Sequence, residues 1–268
     1  MGDVVDYTKV PQAPYKSVRD IGFCEEQNRR HRRTMEDGHC MIDGFRGNEG
    51  EGYFAIYDGH GGKGAVLKVQ KEFHNVIETY LNDNDENVPE AFNGAYGFMD
   101  GELATQDFMH CGTTSITCLV RKESTGRKLY VANCGDARVV INEGGVARRL
   151  TVDHKCGEQE EDDRIRQTGG CILRGRVSGI LAVSRALGDH AMKDWVISTP
   201  YQEQVDLEDK HTQLILACDG VWDVLSDQEV VDLIKEGEST AQEMADKILR
   251  TSLEKGSKDN ISVMVVLL

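Results

Sequence analysis

The chain has 268 residues, and its 31 basic against 46 acidic side chains leave a formal charge of −15. That length suits one large domain with a substantial core, and the acidity argues against nucleic acid or an anionic membrane surface as the main partner, because both are polyanions. No apolar run approaches the roughly 20 residues of a membrane span, no secretory h-region opens the chain, and the 8 cysteines include no C-x-x-C pair, which disfavours zinc clusters and disulfide scaffolds. The expectation is a soluble, intracellular protein with reduced, mostly buried thiols.

In chain order, Gly52 to Tyr57 reads as the first strand. Val66, Val69, Phe73, Val76 or Ile77, and Tyr80 then recur on one face of a helix. The polar stretch Asn82 to Asn87 reads as a loop. Thr113 to Val120, Lys128 to Asn133 and Arg138 to Asn142 are three further strands, and Glu143-Gly144-Gly145 after them predicts a hairpin. A helix over roughly Glu158 to Thr168 is stopped by Gly169. After the strand Gln213 to Cys218, Ser226 with Glu229 and Thr240 with Glu243 form capping boxes that open two helices. Gly256 ends the second helix, and Ile261 to Leu268 is the last strand. Strands cluster between helices instead of alternating with them, which favours antiparallel sheets with helices packed outside. One domain over residues 1–268 is expected, with about the first 20 residues as an N-terminal extension.

Carboxylates recur where apolar strands end. Tyr53 to Tyr57 runs into Asp58-Gly59-His60, Lys128 to Asn133 into Cys134-Gly135-Asp136, and Leu214 to Cys218 into Asp219-Gly220. Asp259-Asn260 stands just before the final strand. A single Asp-Gly is an ordinary turn signal. Four such acids on neighbouring strands would converge, and uncompensated like charges at short range need a cation. All-oxygen ligation suits magnesium or manganese. Arg32-Arg33-Thr34-Met35-Glu36-Asp37 sets basic residues beside two acids; alone it reads as a solvated loop or a nuclear-import patch, and beside a metal site as a phosphate grip.

Taken together, Arg32-x-x-Met35-Glu36-Asp37, Tyr57-Asp58-Gly59-His60-Gly61-Gly62 and Asn133-Cys134-Gly135-Asp136-Ala137-Arg138 resemble the type 2C (PPM) protein serine/threonine phosphatases. Leu181 to Asp189, Ala217 to Asp223 and Asp259-Asn260-Ile261 continue the resemblance in the family's order. It implies a four-layer α-β-β-α sandwich, two packed antiparallel sheets flanked by helices. It also implies that two magnesium or manganese ions are held by Asp58, which bridges them, by the Gly59 carbonyl, and by Asp219 and Asp259, with Glu36 and Asp37 holding metal-bound waters. Asp136 would hold a weaker third ion, with Asp223 as a further ligand. A hydroxide between the two ions would attack phosphorus in line, Arg32 would grip the phosphate, and His60 would protonate the leaving seryl or threonyl oxygen. Arg33 would then be a surface residue.

The segment from Arg174 to Trp195 resembles the family's variable flap. One departure is Cys156, where the family usually has proline after Asp153-His154-Lys155. Two Cys-x5-Arg spacings, from Cys24 and Cys40, mimic a cysteine-phosphatase loop, but acids fill both and neither has the glycines of a phosphate cradle. Two alternatives stay open: a phosphatase-like adaptor without activity, and a small-phosphoester hydrolase with the same metal centre. Phosphorylated proteins are the expected substrates of a monomer in the cytoplasm or nucleus, with no stable membrane insertion. Met1-Gly2 offers a weak myristoylation signal, because Asp6 stands where Ser or Thr is preferred.

Overall fold

The run Tyr53-Phe54-Ala55-Ile56-Tyr57 has no polar alternation, so a strand built from it must be covered on both faces. The computed structural model describes residues 6–235 and 240–268, and all five of these side chains are buried in it. The chain opens with β1 (Asp20–Glu26), β2 (Asp37–Asp43) and β3 (Glu51–His60), followed by α1 (Gly64–Asp83) and α2 (Val88–Glu102). Next come β4 (Gly112–Thr113), β5 (Ser115–Glu123), β6 (Gly126–Cys134), β7 (Arg138–Glu143) and β8 (Val146–Arg149). Helix α3 (Gln159–Gln167), the short strands β9 (Ile172–Leu173), β10 (Arg176–Val177) and β11 (Leu187–Gly188), and β12 (Tyr201–Leu207) form the middle of the chain. It closes with β13 (His211–Ala217), α4 (Asp219–Trp222), α5 (Asp227–Leu233), α6 (Ala241–Glu254) and β14 (Ile261–Leu267).

Two large antiparallel sheets result, beside a separate two-stranded pair of β9 and β10. One has the order β1-β14-β13-β7-β8; the other runs β11-β4-β3-β5-β6-β12, with β2 also paired to β3. Alternation decides what each face meets. Phe54 and Ile56 point between the sheets, against Val139, Ile141, Leu214, Leu216 and Met264 of the opposite sheet. Tyr53, Ala55 and Tyr57 point outward under α1 and α2, while α4, α5 and α6 cover the outer face of the other sheet through Val221, Val230, Ala245 and Ile248. This is the expected α-β-β-α sandwich.

Most expected elements form, with instructive differences. The buried stripe of α1 contains Val66, Val69, Phe73 and Ile77 and is completed by Leu81; Val76 and Tyr80 are only partly buried. The helix also continues through Asn82 and Asp83, so the connecting loop is shorter than the polar run suggested. Both capping boxes form, Ser226 with Glu229 and Thr240 with Glu243. From Asp6 onward the N-terminal segment lies along the domain, where Tyr7 O accepts the Met41 N–H at 2.8 Å. Gly2 lies outside the described residues. Among the described residues, no helix is long and apolar enough to cross a membrane.

Candidate metal centre and phosphate site

Asp58 does not end its strand. The ladder carries on through it, with Thr114 N–H donating to Asp58 O at 2.8 Å and His60 pairing with Gly112. Because β2 runs antiparallel alongside, Asp37 sits directly opposite Asp58 in register. Asp219 opens α4 immediately after β13, Asp136 follows β6 across Gly135, and Asp259 precedes β14. Glycine at two of these corners serves close approach rather than turning. A Cβ on Gly59 would lie 2.4 Å from the Glu36 carbonyl oxygen, and one on Gly220 would lie 2.1 Å from the Asn260 carbonyl oxygen.

Arg32, Glu36, Asp58, Gly59, His60, Asp136, Asp219 and Asp259 all line one cavity of about 520 Å³. Asp37 lies beneath it and accepts from the Ser262 hydroxyl at 2.7 Å. One carboxylate oxygen each of Asp58, Asp136 and Asp219 lie within 4.8 Å of one another, and oxygens of Asp37 and Asp58 are as close to the Cys218 sulfur. Arg33 is exposed and stands outside the cavity.

This is a costly arrangement for anions. Burial, then the charges of Asp219, Asp37, Asp136 and Asp259, push the Asp58 carboxyl far above its usual range. Asp219 is raised in the same way by burial and by Asp136, Asp259 and Asp223. Burial lifts Asp37 to about 7, against the opposing hydrogen bonds from Ser262 and Cys218. Such a set is stable as carboxylates only with added positive charge, and its oxygen-only donors fit hard divalent cations. The residues therefore fit a centre for hard divalent cations.

Among the described residues, two cationic side chains contact the cluster. Arg32 pairs with Asp259. Lys155 Nζ lies 3.1 Å from Asp223 and 3.3 Å from Asp136. Burial works against the Lys155 ammonium, yet Asp136, Asp223 and Asp219 together hold its pKa above the ordinary lysine value.

The sequence motifs left four roles undetected. Lys155 is one. Asn260 is another: it accepts from Glu36 N–H at 2.9 Å and donates to the carbonyls of Gln27 and Thr34, tying down the Arg32–Glu36 loop. Asp189 is the third, with an oxygen 2.6 Å from His60 Nε2; a signal was present, since Gly188-Asp189 is one more acid following a strand. Cys156 is the fourth. Its N–H donates to Ala182 O at 3.3 Å, a bond that proline could not make, and both residues line the cavity. Gly175, Arg176, Leu181 and Val183 of the expected flap line it too. Burial pushes the Cys24 thiol up to about 12 and the Cys40 thiol higher still, which suits neither as a nucleophile.

A family model described as "Protein phosphatase 2C" matches residues 20–261. The chain is 38% identical over 272 residues to protein phosphatase 2C homolog 1 of Saccharomyces cerevisiae, covering 96% of each chain. It is likewise 38% identical over 250 residues to protein phosphatase 2C homolog 1 of Schizosaccharomyces pombe, covering 91% of this chain and 72% of that one. Among solved structures, a serine-threonine phosphatase 2C from Toxoplasma gondii superposes with a TM-score of 0.80 at 22% identity, covering 96% and 97% of the two chains.

Proposed function

From the premise that this chain belongs to the protein phosphatase 2C family and is a protein serine/threonine phosphatase, we propose that it hydrolyses phosphoserine and phosphothreonine side chains with water activated by a pair of magnesium or manganese ions. The observation that carries this reading is the convergence of Asp58, Asp136 and Asp219 at one open cavity, with Asp37 beneath it, all four with raised carboxyl pKa values. Asp58, the Gly59 carbonyl, Asp219 and Asp259 would hold the ions, with Glu36 and Asp37 behind them. When bound, those ions supply Lewis-acid charge at the phosphoryl group and an acidified water.

The rest of the chemistry belongs to the chain's own side chains. Arg32 stands at the cavity rim, half exposed, and its planar fork matches two phosphate oxygens. Asp259 and the phosphate compete for that fork. His60 faces the cavity and gives a proton to the departing oxygen, which a serine or threonine alkoxide requires. Asp136 and Asp223 form an outer cation position that Lys155 also occupies. A cytoplasmic or nuclear monomer completes the proposal.

The test is hydrolysis of a phosphothreonine peptide with manganese or magnesium and its loss in EDTA. Full turnover in metal-free buffer would refute the two-ion reading while leaving family membership untouched.

A further inference from the structure

His60 is held at one nitrogen only. Its Nε2 lies 2.6 Å from Asp189 Oδ2, and among the described residues Nδ1 has no hydrogen-bond partner. The two side chains differ sharply in exposure: the His60 side chain is 25% exposed, the Asp189 side chain 4%. His60 lines the cavity and Asp189 does not. The carboxylate therefore sits behind the ring, away from any substrate.

Three neighbouring strands build this contact. His60 of β3 pairs with Gly112 of β4, and Gly112 pairs in turn with Gly188 of β11. Asp189 is the next residue. It holds a left-handed backbone at φ 53°, unusual for a side chain other than glycine, and is fixed by its N–H to Cys111 O at 3.0 Å and by Met192 N–H to its carbonyl at 2.7 Å. The missing side chain of Gly112 makes the reach possible, since a Cβ there would lie 2.2 Å from Asp189 Oδ2. A glycine and a buried acid held in a left-handed backbone thus converge on one ring nitrogen, the pattern expected where backbone strain is kept for a function.

The geometry points to Asp189 as the positioning residue for His60: it takes Nε2–H, fixes the plane of the ring and leaves Nδ1 as the nitrogen that delivers the proton. This rests on the general-acid reading of His60. In the step itself, water adds to phosphorus, the P–O bond to the seryl or threonyl side chain breaks, and its electron pair goes to the departing oxygen. That oxygen takes the Nδ1 proton, and the neutral ring keeps Nε2–H on Asp189. A buried carboxylate that orients imidazole and sets its tautomer is a known way to raise the efficiency of such a transfer.

The experiment compares two substrates on the magnesium-loaded enzyme, a phosphothreonine peptide and para-nitrophenyl phosphate, whose phenolate leaves without help. Asp189→Asn keeps the shape and tolerates the left-handed backbone, but it can donate an N–H to Nε2 and so hold a neutral ring with no acidic proton to give. We expect kcat on the peptide to fall about 10- to 100-fold with KM unchanged, a part of the roughly 10²- to 10⁴-fold that a positioned general acid contributes, and kcat on the aryl ester to fall less than about threefold. Gly112→Ala, which crowds the carboxylate, should show the same selectivity. The ratio of the two activities does not depend on how much of a variant is folded. His60→Gln/Asp189→Asn should be no worse than His60→Gln alone, and 15N spectra of labelled histidine should show the His60 tautomer changing in Asp189→Asn.

Equal losses on both substrates in Asp189→Asn, or losses that add to those of His60→Gln, would overturn the assignment. Should His60→Gln itself lose both activities equally, the general-acid reading falls first. A selective His60→Gln beside an unselective Asp189→Asn removes only the role of Asp189.

Discussion

Two groups of carboxylates in this fold are treated in opposite ways. Glu161 of α3, with a side chain only 4% exposed, accepts from Ser184 Oγ at 2.6 Å, Arg185 Nη2 at 2.6 Å and Arg164 Nη2 at 2.9 Å. Burial acts to raise its pKa, but Arg185, Arg164 and Ser184 outweigh burial and pull it down to about 2. Asp58 and Asp219 are half-buried in the cavity wall, where their largest neighbouring influences are other acids, and both are pushed far above the normal range. Glu161 carries its cations within the chain; on the proposed function, Asp58 and Asp219 take theirs from solution. Depth alone does not separate a structural acid from a metal ligand. The partner does.

The largest effects should come from reversing this assignment. Asp58→Asn should lower turnover roughly 10³-fold, the consequence of losing several kcal/mol of charge stabilisation. The same change should raise the melting temperature of the EDTA-treated protein, by about 2–4 °C for each kcal/mol of repulsion removed. A lower melting temperature in EDTA would break the contrast, because it would make Asp58 a structural acid.

Glu161→Gln is the mirror image. It leaves Arg164 and Arg185 uncompensated in a largely buried setting and should cost about 3 kcal/mol in a denaturant melt. The pH dependence has a definite sign. A carboxyl lowered in the folded state contributes stability that is complete above its unfolded value near 4.5 and fades as pH falls toward about 2. The gap between wild type and Glu161→Gln should therefore be full at pH 6 and shrink steadily below pH 4.5. A gap that widens on acidification would contradict the pairing.

Smaller effects sharpen the comparison at the cations. Arg32→Ala should raise KM about tenfold with little change in kcat, about 1.4 kcal/mol of phosphate binding, while Arg33→Ala stays near wild type. Steady-state kinetics that reverse these two residues would shift the phosphate contact by one position. Lys155→Ala should have the mildest consequence, tightening manganese binding at Asp136 and Asp223 by roughly three- to tenfold in calorimetry, because a competing ammonium is removed from a partly exposed site. Weaker binding would mean that Lys155 supports the cation position instead of competing for it.

The parts of the fold that were legible from sequence have local causes. The capping boxes at Ser226 and Thr240 are spelled within four residues, and the stripe from Val66 to Ile77 is spelled by helical period. β1, β2, β12 and α2 carry weaker signals. β12 is mostly polar and half exposed, and α2 contains Gly94, Gly97 and Gly101 in a helix that its docking on α1 and the sheet stabilises. The acids of the site were legible because each stands beside a strand with a glycine, asparagine or arginine in a recognisable block. Their partners were not: Lys155 is one residue of an ordinary polar turn, and Asp189 is separated from His60 by 129 positions.

What the sequence determined by itself is therefore the inventory: which acids are available, which strands and helices carry them, and the order in which a phosphatase 2C chain presents them. Tertiary structure decided which charge each acid meets. A hydrogen bond or ion pair extends about 3 Å, and chain distance does not encode it, so Glu161 with Arg185, Asp189 with His60, and Asp58 opposite Asp37 come into being only when the strands register. That encounter turns one carboxylate into an internal anchor and leaves another among acids, where the proposed function places a metal ion.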